Sequence, residues 1–201
     1  MMKAMEIVLA TRNKNKIEEI SRMLNGMDIK LLTLDDFPNC PEVVEDSDTF
    51  EGNALKKAVA ITRCTNKAAV SDDSGLEVYE LHGAPGVMSA RYAGIEADDN
   101  ANNNKLLAEM KDLTLEKRRG RFVCVIALAY PHGEINIFEG IVEGRINEFP
   151  VGTKGFGYDP LFCPQGSNKS FGQMSPGEKD EISHRSIALR KFANHIKSHT
   201  L

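Results

Sequence analysis

The chain has 201 residues, with 25 Lys and Arg against 29 Asp and Glu, a formal net charge of −4. Apolar residues at 41% and charged residues at 27% match a folded globular domain and exclude a wholly disordered chain. The acidic balance excludes a broad basic face for coating nucleic acid, and no run of about 18 apolar residues is present to cross a bilayer.

The segment Met1 to Ala10 is too short and too weakly apolar for a signal peptide, and it leads straight into a strand pattern at Met5 to Ala10. Asn13 to Leu24 reads as a helix, with Ile17, Ile20 and Leu24 on one face. Ile29 to Leu34 reads as a second strand, and the acidic stretch Asp35 to Asp48, with Pro38 and Pro41, as a loop. Ser47 or Asp48 is placed to cap a helix over Thr49 to Cys64, whose inner stripe is Phe50, Ala54, Ala58 and Ile61. Ala68 to Ser71 reads as a short strand that stops at Asp72-Asp73-Ser74-Gly75, with Leu76 to Tyr79 resuming it after a turn.

His82 to Ala97 is punctuated by Gly and Pro and reads as loop, and Asp98 or Asp99 caps a helix reaching Met110. Arg121 to Tyr130 and Ile135 to Glu143 form a hairpin pattern about Pro131-His132-Gly133. Gly152 to Asp159 is a Gly-rich loop before a short strand, Leu161 to Cys163. Ser175-Pro176-Gly177-Glu178 fits a capping box with Pro at the first helical position. A last helix runs from His184 to Lys197. Early strand–helix alternation and a late hairpin predict an α/β fold, a mixed twisted sheet flanked by helices. The four cysteines, Cys40, Cys64, Cys124 and Cys163, lie far apart with no CxxC, so reduced thiols and a cytoplasmic protein are expected, not a zinc site or disulfide framework.

In α/β proteins ligands bind where strands end and loops begin. Three such junctions carry unusual polar residues. At Thr11-Arg12-Asn13-Lys14-Asn15-Lys16 a strand-to-helix turn offers free N–H groups, the positive helix end and cationic side chains to phosphate; the same residues also suit an ordinary helix cap. At Asp72-Asp73-Ser74-Gly75 adjacent carboxylates suit a hard cation or a proton acceptor for water, or equally an Asp- and Gly-rich turn. The acidic loop Glu42, Glu45, Asp46 and Asp48 offers a further cation ligand. At Gly155-Phe156-Gly157-Tyr158-Asp159-Pro160 a phenylalanine between glycines is open to a stacked nucleobase. Lys179 and Ser183-His184-Arg185 follow at helix ends, with donors suited to a carbonyl on a base.

Taken in order, these motifs are similar to those of the inosine triphosphate pyrophosphatase (Ham1-like) family. The family pattern T-G-N-x-x-K appears as Thr11 to Lys16, and T-F-x-E-N-A-x-x-K-A as Thr49 to Ala58. Asp72 to Leu76, Gly83 to Val87, Ser89 to Tyr92, Gly155 to Pro160 and Ser183 to Arg185 complete it. Arg12 stands where the family usually has Gly, and Gly52 where it usually has Glu.

The resemblance implies one domain of two lobes with a central cleft over residues 1–201. It implies hydrolysis of ITP, dITP or XTP to the monophosphate and pyrophosphate. It also implies Mg²⁺ as cofactor, with Mn²⁺ as the alternative, and a homodimer with no nucleic-acid or membrane partner. By the same resemblance Asp73 and Glu45 or Glu42 hold the metal, Asp72 or Asp73 orients the attacking water, and Lys16 and Lys57 face the phosphates. Thr11, Arg12, Asn13, Lys14, Asn15, Ser74, Phe156, Gly157, Tyr158, Asp159, Lys179, His184 and Arg185 line the substrate site. The alternatives are a Maf-like pyrophosphatase of other base preference and a non-catalytic nucleotide sensor.

Overall fold

Strand β1 (Met5–Leu9) is fully buried at Ile7, Val8 and Leu9, the burial of a strand covered on both faces. The computed structural model describes residues 5–95 and 98–199. Helix α1 (Lys14–Met23) begins at Asn13, whose Oδ1 accepts the Lys16 N–H at 3.2 Å. It carries the chain over to β2 (Ile29–Leu32), which lies parallel to β1. A short 3-10 turn at Leu34–Asp36 ends what the sequence extends as strand to Leu34. Helix α2 (Phe50–Thr65) is capped by Thr49, whose Oγ1 accepts from the Gly52 N–H at 3.0 Å, so the cap falls one residue past the expected Ser47 or Asp48. Its end is set by Asn66 in the left-handed region at φ 52°.

Strand β3 (Ala68–Val78) is one continuous strand of 11 residues, pairing parallel to β1. The expected break at Asp72-Asp73-Ser74-Gly75 does not occur. The turn residues are overridden by burial: Asp72 and Asp73 sit inside the sheet at 1% and 7% exposure, where tertiary context outweighs local preference. A 3-10 turn at Tyr79–Leu81 takes Tyr79, the last residue of the expected strand, and another at Gly86–Arg91 stands where loop is expected; the end of that loop stretch, 96 and 97, lies outside the described residues. Helix α3 (Asp99–Glu109) is capped by Asp98, which accepts the Ala101 N–H at 2.8 Å. Strands β4 (Arg119–Ala129) and β5 (Ile135–Ile146) form the expected hairpin, and β6 (Phe162–Pro164) pairs antiparallel with β5. Helix α4 (Pro176–Ile182) shows the capping box at Ser175 and Glu178, and α5 (His184–His199) follows directly. The sheet order is β2-β1-β3-β4-β5-β6, a mixed six-stranded sheet.

Two compact units share the chain. One takes its described residues from the segments Met1–Asp73, Cys124–Glu139 and Ala188–Leu201; its core joins Ile7, Leu9, Ile20, Val70, Ile126, Leu128, Leu189 and Phe192. The other comprises Ser74–Val123 and Gly140–Ile187, around Leu76, Val78, Leu106, Met110, Phe122, Phe162 and Phe171. In this second unit the buried Arg118 donates to three carbonyls, of Met110, Ile146 and Asn147, at 2.7 to 2.9 Å. That satisfies a guanidinium where water is excluded.

The cysteines depart from expectation. Cys40 and Cys64 form a disulfide across 24 positions, while Cys124 and Cys163 are free and buried. Spacing alone does not show this pairing, because it depends on the acidic loop folding back onto the last turn of α2. In the chain-entropy account a bridge of this span stabilises by about 3 kcal/mol. Cys64→Ser should then lower the melting temperature by roughly 5–10 °C under non-reducing conditions. Calorimetry with and without a dithiol reductant checks it; equal melting temperatures for variant and oxidised wild type would refute the constraint.

Candidate active site

The first unit gathers the phosphate-type and metal-type residues. Lys16, in the first turn of α1, reaches Asp72 Oδ1 at 3.1 Å. Lys57, buried on α2, donates to the Asp72 carbonyl at 2.8 Å and lies 3.4 Å from Asp73 Oδ1 and 3.1 Å from Glu45 Oε2. Burial works to lower the Lys57 pKa, but Asp73, Asp72 and Glu45 outweigh it and hold the ammonium above its ordinary value. Asp73 moves the other way. Burial raises its carboxyl, Lys57 and Lys16 pull it back only in part, and Glu45 and Asp72 add repulsion, so it titrates at about 6.

Asp73 also accepts from Asn53 Nδ2 at 3.2 Å. Asn53 is 1% exposed, and its amide pairs with the Ser47 backbone, taking the N–H at 2.9 Å and giving to the carbonyl at 3.4 Å. It therefore ties the acidic loop and the Asp73 carboxylate to one helix turn. Sequence reasoning quoted Asn53 in a motif but gave it no role. The usable signal was an amide next to Ala54 on the apolar stripe of α2, since a buried amide demands partners. Gly52 is explained by the same packing: a Cβ there would come within 2.0 Å of Ser47 Oγ. A side chain at position 52 would make the Ser47 side chain shift.

The second unit gathers residues suited to a flat base. Gly155 and Gly157 both adopt positive φ, 73° and 60°, a conformation that favours glycine. Between them Phe156 donates its N–H to Asp159 Oδ2 at 2.9 Å. Lys179 Nζ pairs with the same Asp159 oxygen at 2.5 Å and lies 5.0 Å from the Phe156 ring centroid. The Arg185 guanidinium lies 5.6 Å from that centroid and donates to Ser74 Oγ at 2.8 Å. Lys179, Arg185 and Asp159 are each at most 5% exposed, so these charges act at low dielectric. His184 stacks on Phe122 at 4.5 Å and 7°.

The expected residues fall into groups. Lys16, Lys57, Asp72, Asp73 and Glu45 come together, and Glu42 stays exposed. Ser74, Phe156, Asp159, Lys179 and Arg185 form the second cluster. Arg12, Asn13, Lys14 and Asn15 are exposed, Thr11 is half-buried, and Thr11 Oγ1 accepts the Asn13 N–H at 3.2 Å. Tyr158 goes to the core instead, 4% exposed, with its hydroxyl donating to the Ser89 carbonyl at 2.9 Å. Two of the carboxylates, Asp73 and Glu45, flank the same Lys57 ammonium. Three carboxylates meet two lysines there, an acidic balance that suits a divalent cation. Among the described residues no group of three or more His, Cys, Asp or Glu side chains is placed to hold a metal. Two carboxylates are enough for Mg²⁺, which takes its other ligands from water and phosphate.

Residues 7–195 match the model of the Ham1 family. The chain belongs to the Ham1 family. A relative from Geobacter sulfurreducens named dITP/XTP pyrophosphatase is 47% identical over 190 residues, 94% of this chain and 96% of that one. Another so named, from Lactiplantibacillus plantarum, is 47% identical over 96% of this chain and 95% of its own. Among solved structures, the Staphylococcus aureus Ham1 protein superposes with a TM-score of 0.88 at 38% identity, covering 96% of this chain and 99% of that chain. A dITP/XTP pyrophosphatase from Mycobacterium abscessus gives 0.78 at 44%, covering 94% and 98%. Membership of the Ham1 family thus rests on nearly the full length of the chain, both compact units included.

Proposed function

We propose that this protein hydrolyses non-standard purine nucleoside triphosphates, dITP, ITP and XTP, to the monophosphate and pyrophosphate. The observation that carries the reading is the buried group of Lys57, Lys16 and the Asp72–Asp73 couplet. It sets two cations beside a carboxylate that titrates at about 6. Water attacks the α-phosphorus, the bond from that phosphorus to the bridging oxygen breaks, and pyrophosphate leaves. Asp73 takes the proton of the attacking water, a role that its burial favours by raising the carboxyl's hold on a proton. Lys16 and Lys57 offset the charge that develops on the leaving pyrophosphate. Asp73 and Glu45 would hold Mg²⁺, or Mn²⁺ in its place. Its chemistry there is to neutralise phosphate oxygens and orient the triphosphate.

Base choice follows from the second cluster. A 6-oxopurine offers an acceptor at O6 and a donor at N1, and adenine offers the reverse. Arg185 and His184 would donate toward O6, and adenine offers no acceptor at that position, at about 1–3 kcal/mol for each. Guanine shares the 6-oxo edge, so its rejection falls on its 2-amino group. Phe156 gives the stacking face, worth about 1–3 kcal/mol for a base. The expected result is pyrophosphate release from ITP, dITP and XTP much faster than from ATP, GTP or dTTP, and its loss on chelation of divalent metal. Equal rates on all bases would overturn the specificity, and tight binding without pyrophosphate release would make the chain a sensor.

A homodimer and a cytoplasmic site of action belong to the same proposal, the second because nucleoside triphosphates are made there. Among the described residues no helix is long and apolar enough to cross a membrane.

A further inference from the structure

The loop that carries Phe156 is held from outside by α3. Gly157 has one peptide donor and one peptide acceptor, and α3 takes both. Asp99 Oδ2 accepts the Gly157 N–H at 2.6 Å, and Asn103 Nδ2 donates to the Gly157 carbonyl at 3.0 Å. The two residues are four apart on the helix, so they share a face. With Asp159 accepting the Phe156 N–H at 2.9 Å, three side chains fix three consecutive peptides. Those peptides lie in a stretch where glycines at positive φ give the backbone its widest freedom. Asn103 is 6% exposed, and its Oδ1 has no hydrogen-bond partner among the described residues. The amide is thus kept in the interior for its donor, although its acceptor gains nothing there.

We infer that Asp99 and Asn103 are positioning residues that set the angle of the Phe156 ring and so decide how sharply the base is inspected. This rests on the proposed purine triphosphate activity and extends it to a helix that carries none of the expected site residues. Freeing the Gly157 peptide lets the ring wander relative to Lys179 and Arg185, which weakens base binding without altering the hydrolytic groups. Discrimination is a difference in binding between bases, so it falls when the platform loosens.

The test is steady-state pyrophosphate release from ITP and ATP for wild type, Asn103→Ala, Asn103→Asp and Asp99→Ala. Asn103→Asp keeps the size and loses the donor; Asp99 is exposed, so Asp99→Ala folds even if the buried position does not tolerate change. The expected result is a KM for ITP raised roughly tenfold with kcat within about twofold, and an ITP-to-ATP ratio of kcat/KM lowered roughly tenfold, Asp99→Ala shifting less in the same direction. A merely structural role would lower kcat through the active fraction and leave KM and the ratio unchanged, and that pattern overturns the inference. Wild type that releases no pyrophosphate from ITP or XTP overturns the proposed function and this inference together. Active wild type with unshifted variants overturns this inference alone.

Discussion

Asp73→Asn lowers pyrophosphate release from ITP at least ~100-fold while nucleotide affinity stays within a few-fold of wild type. The amide keeps the volume of the carboxylate and an oxygen for Asn53 Nδ2, which lies 3.2 Å from Asp73 Oδ2. What it loses is a group able to take a proton from water and one of the two carboxylates that would hold Mg²⁺, which saturating Mg²⁺ offsets in the binding measurement. The base cluster is untouched, because Phe156, Lys179 and Arg185 make their contacts with one another and with Asp159 and Ser74. Steady-state release and calorimetric binding of ITP, both at saturating Mg²⁺, separate the two quantities. A variant within tenfold of wild-type turnover removes Asp73 from the proton-accepting role.

The same substitution raises the stability of the metal-free protein at pH 8, and the gain disappears below about pH 4. The sign comes from linkage. In the folded chain Asp73 titrates at about 6 against an ordinary value of 3.8, chiefly because burial disfavours its charge. A carboxyl raised in this way favours the fold fully below its unfolded pKa and loses that contribution as pH rises through 6. Above 6 the native state carries a strained anion, at a cost of at most about 3 kcal/mol. Loss of the Lys57 pairing returns part of that, so the net gain in Asp73→Asn is about 1–2 kcal/mol. Thermal melts in chelator from pH 3.5 to 8 read it directly. A melting-temperature difference that stays constant across that range would show that Asp73 carries no such strain. An anion held at a cost to the fold is the usual mark of a group retained for chemistry.

The sequence exposed the elements whose cause is local. Asn13 and Ser175 cap helices because their side chains reach their own first turns, and Gly155 and Gly157 sit at positive φ where only the backbone decides. Lys16 was legible from its place at a strand-to-helix turn, and Lys57 only from the motif that carries the family resemblance. What stayed hidden has a non-local cause. The Asp72–Ser74 stretch reads as a turn by residue preference, and only its neighbours in the sheet make it strand. The Cys40–Cys64 bond depends on a loop returning across 24 positions. Asn53, Asp99 and Asn103 act on backbone groups of Ser47 and Gly157, and a peptide N–H or carbonyl has no residue type by which sequence can announce it. Choosing Glu45 over Glu42 as the loop residue beside Lys57 likewise needs the course of the loop.

The unbroken course of β3 through Asp72, Asp73 and Ser74 has an evolutionary consequence. Residues embedded in a central strand cannot be re-aimed by lengthening or shortening a connection; an inserted residue there would swap every following side chain to the opposite side. The glycine-flanked segment at 155–157 has no such tether to the ladder and tolerates drift. A lineage exploring new nucleobases would therefore leave the bond-breaking apparatus frozen and accumulate its changes in that segment and in the helix that braces it.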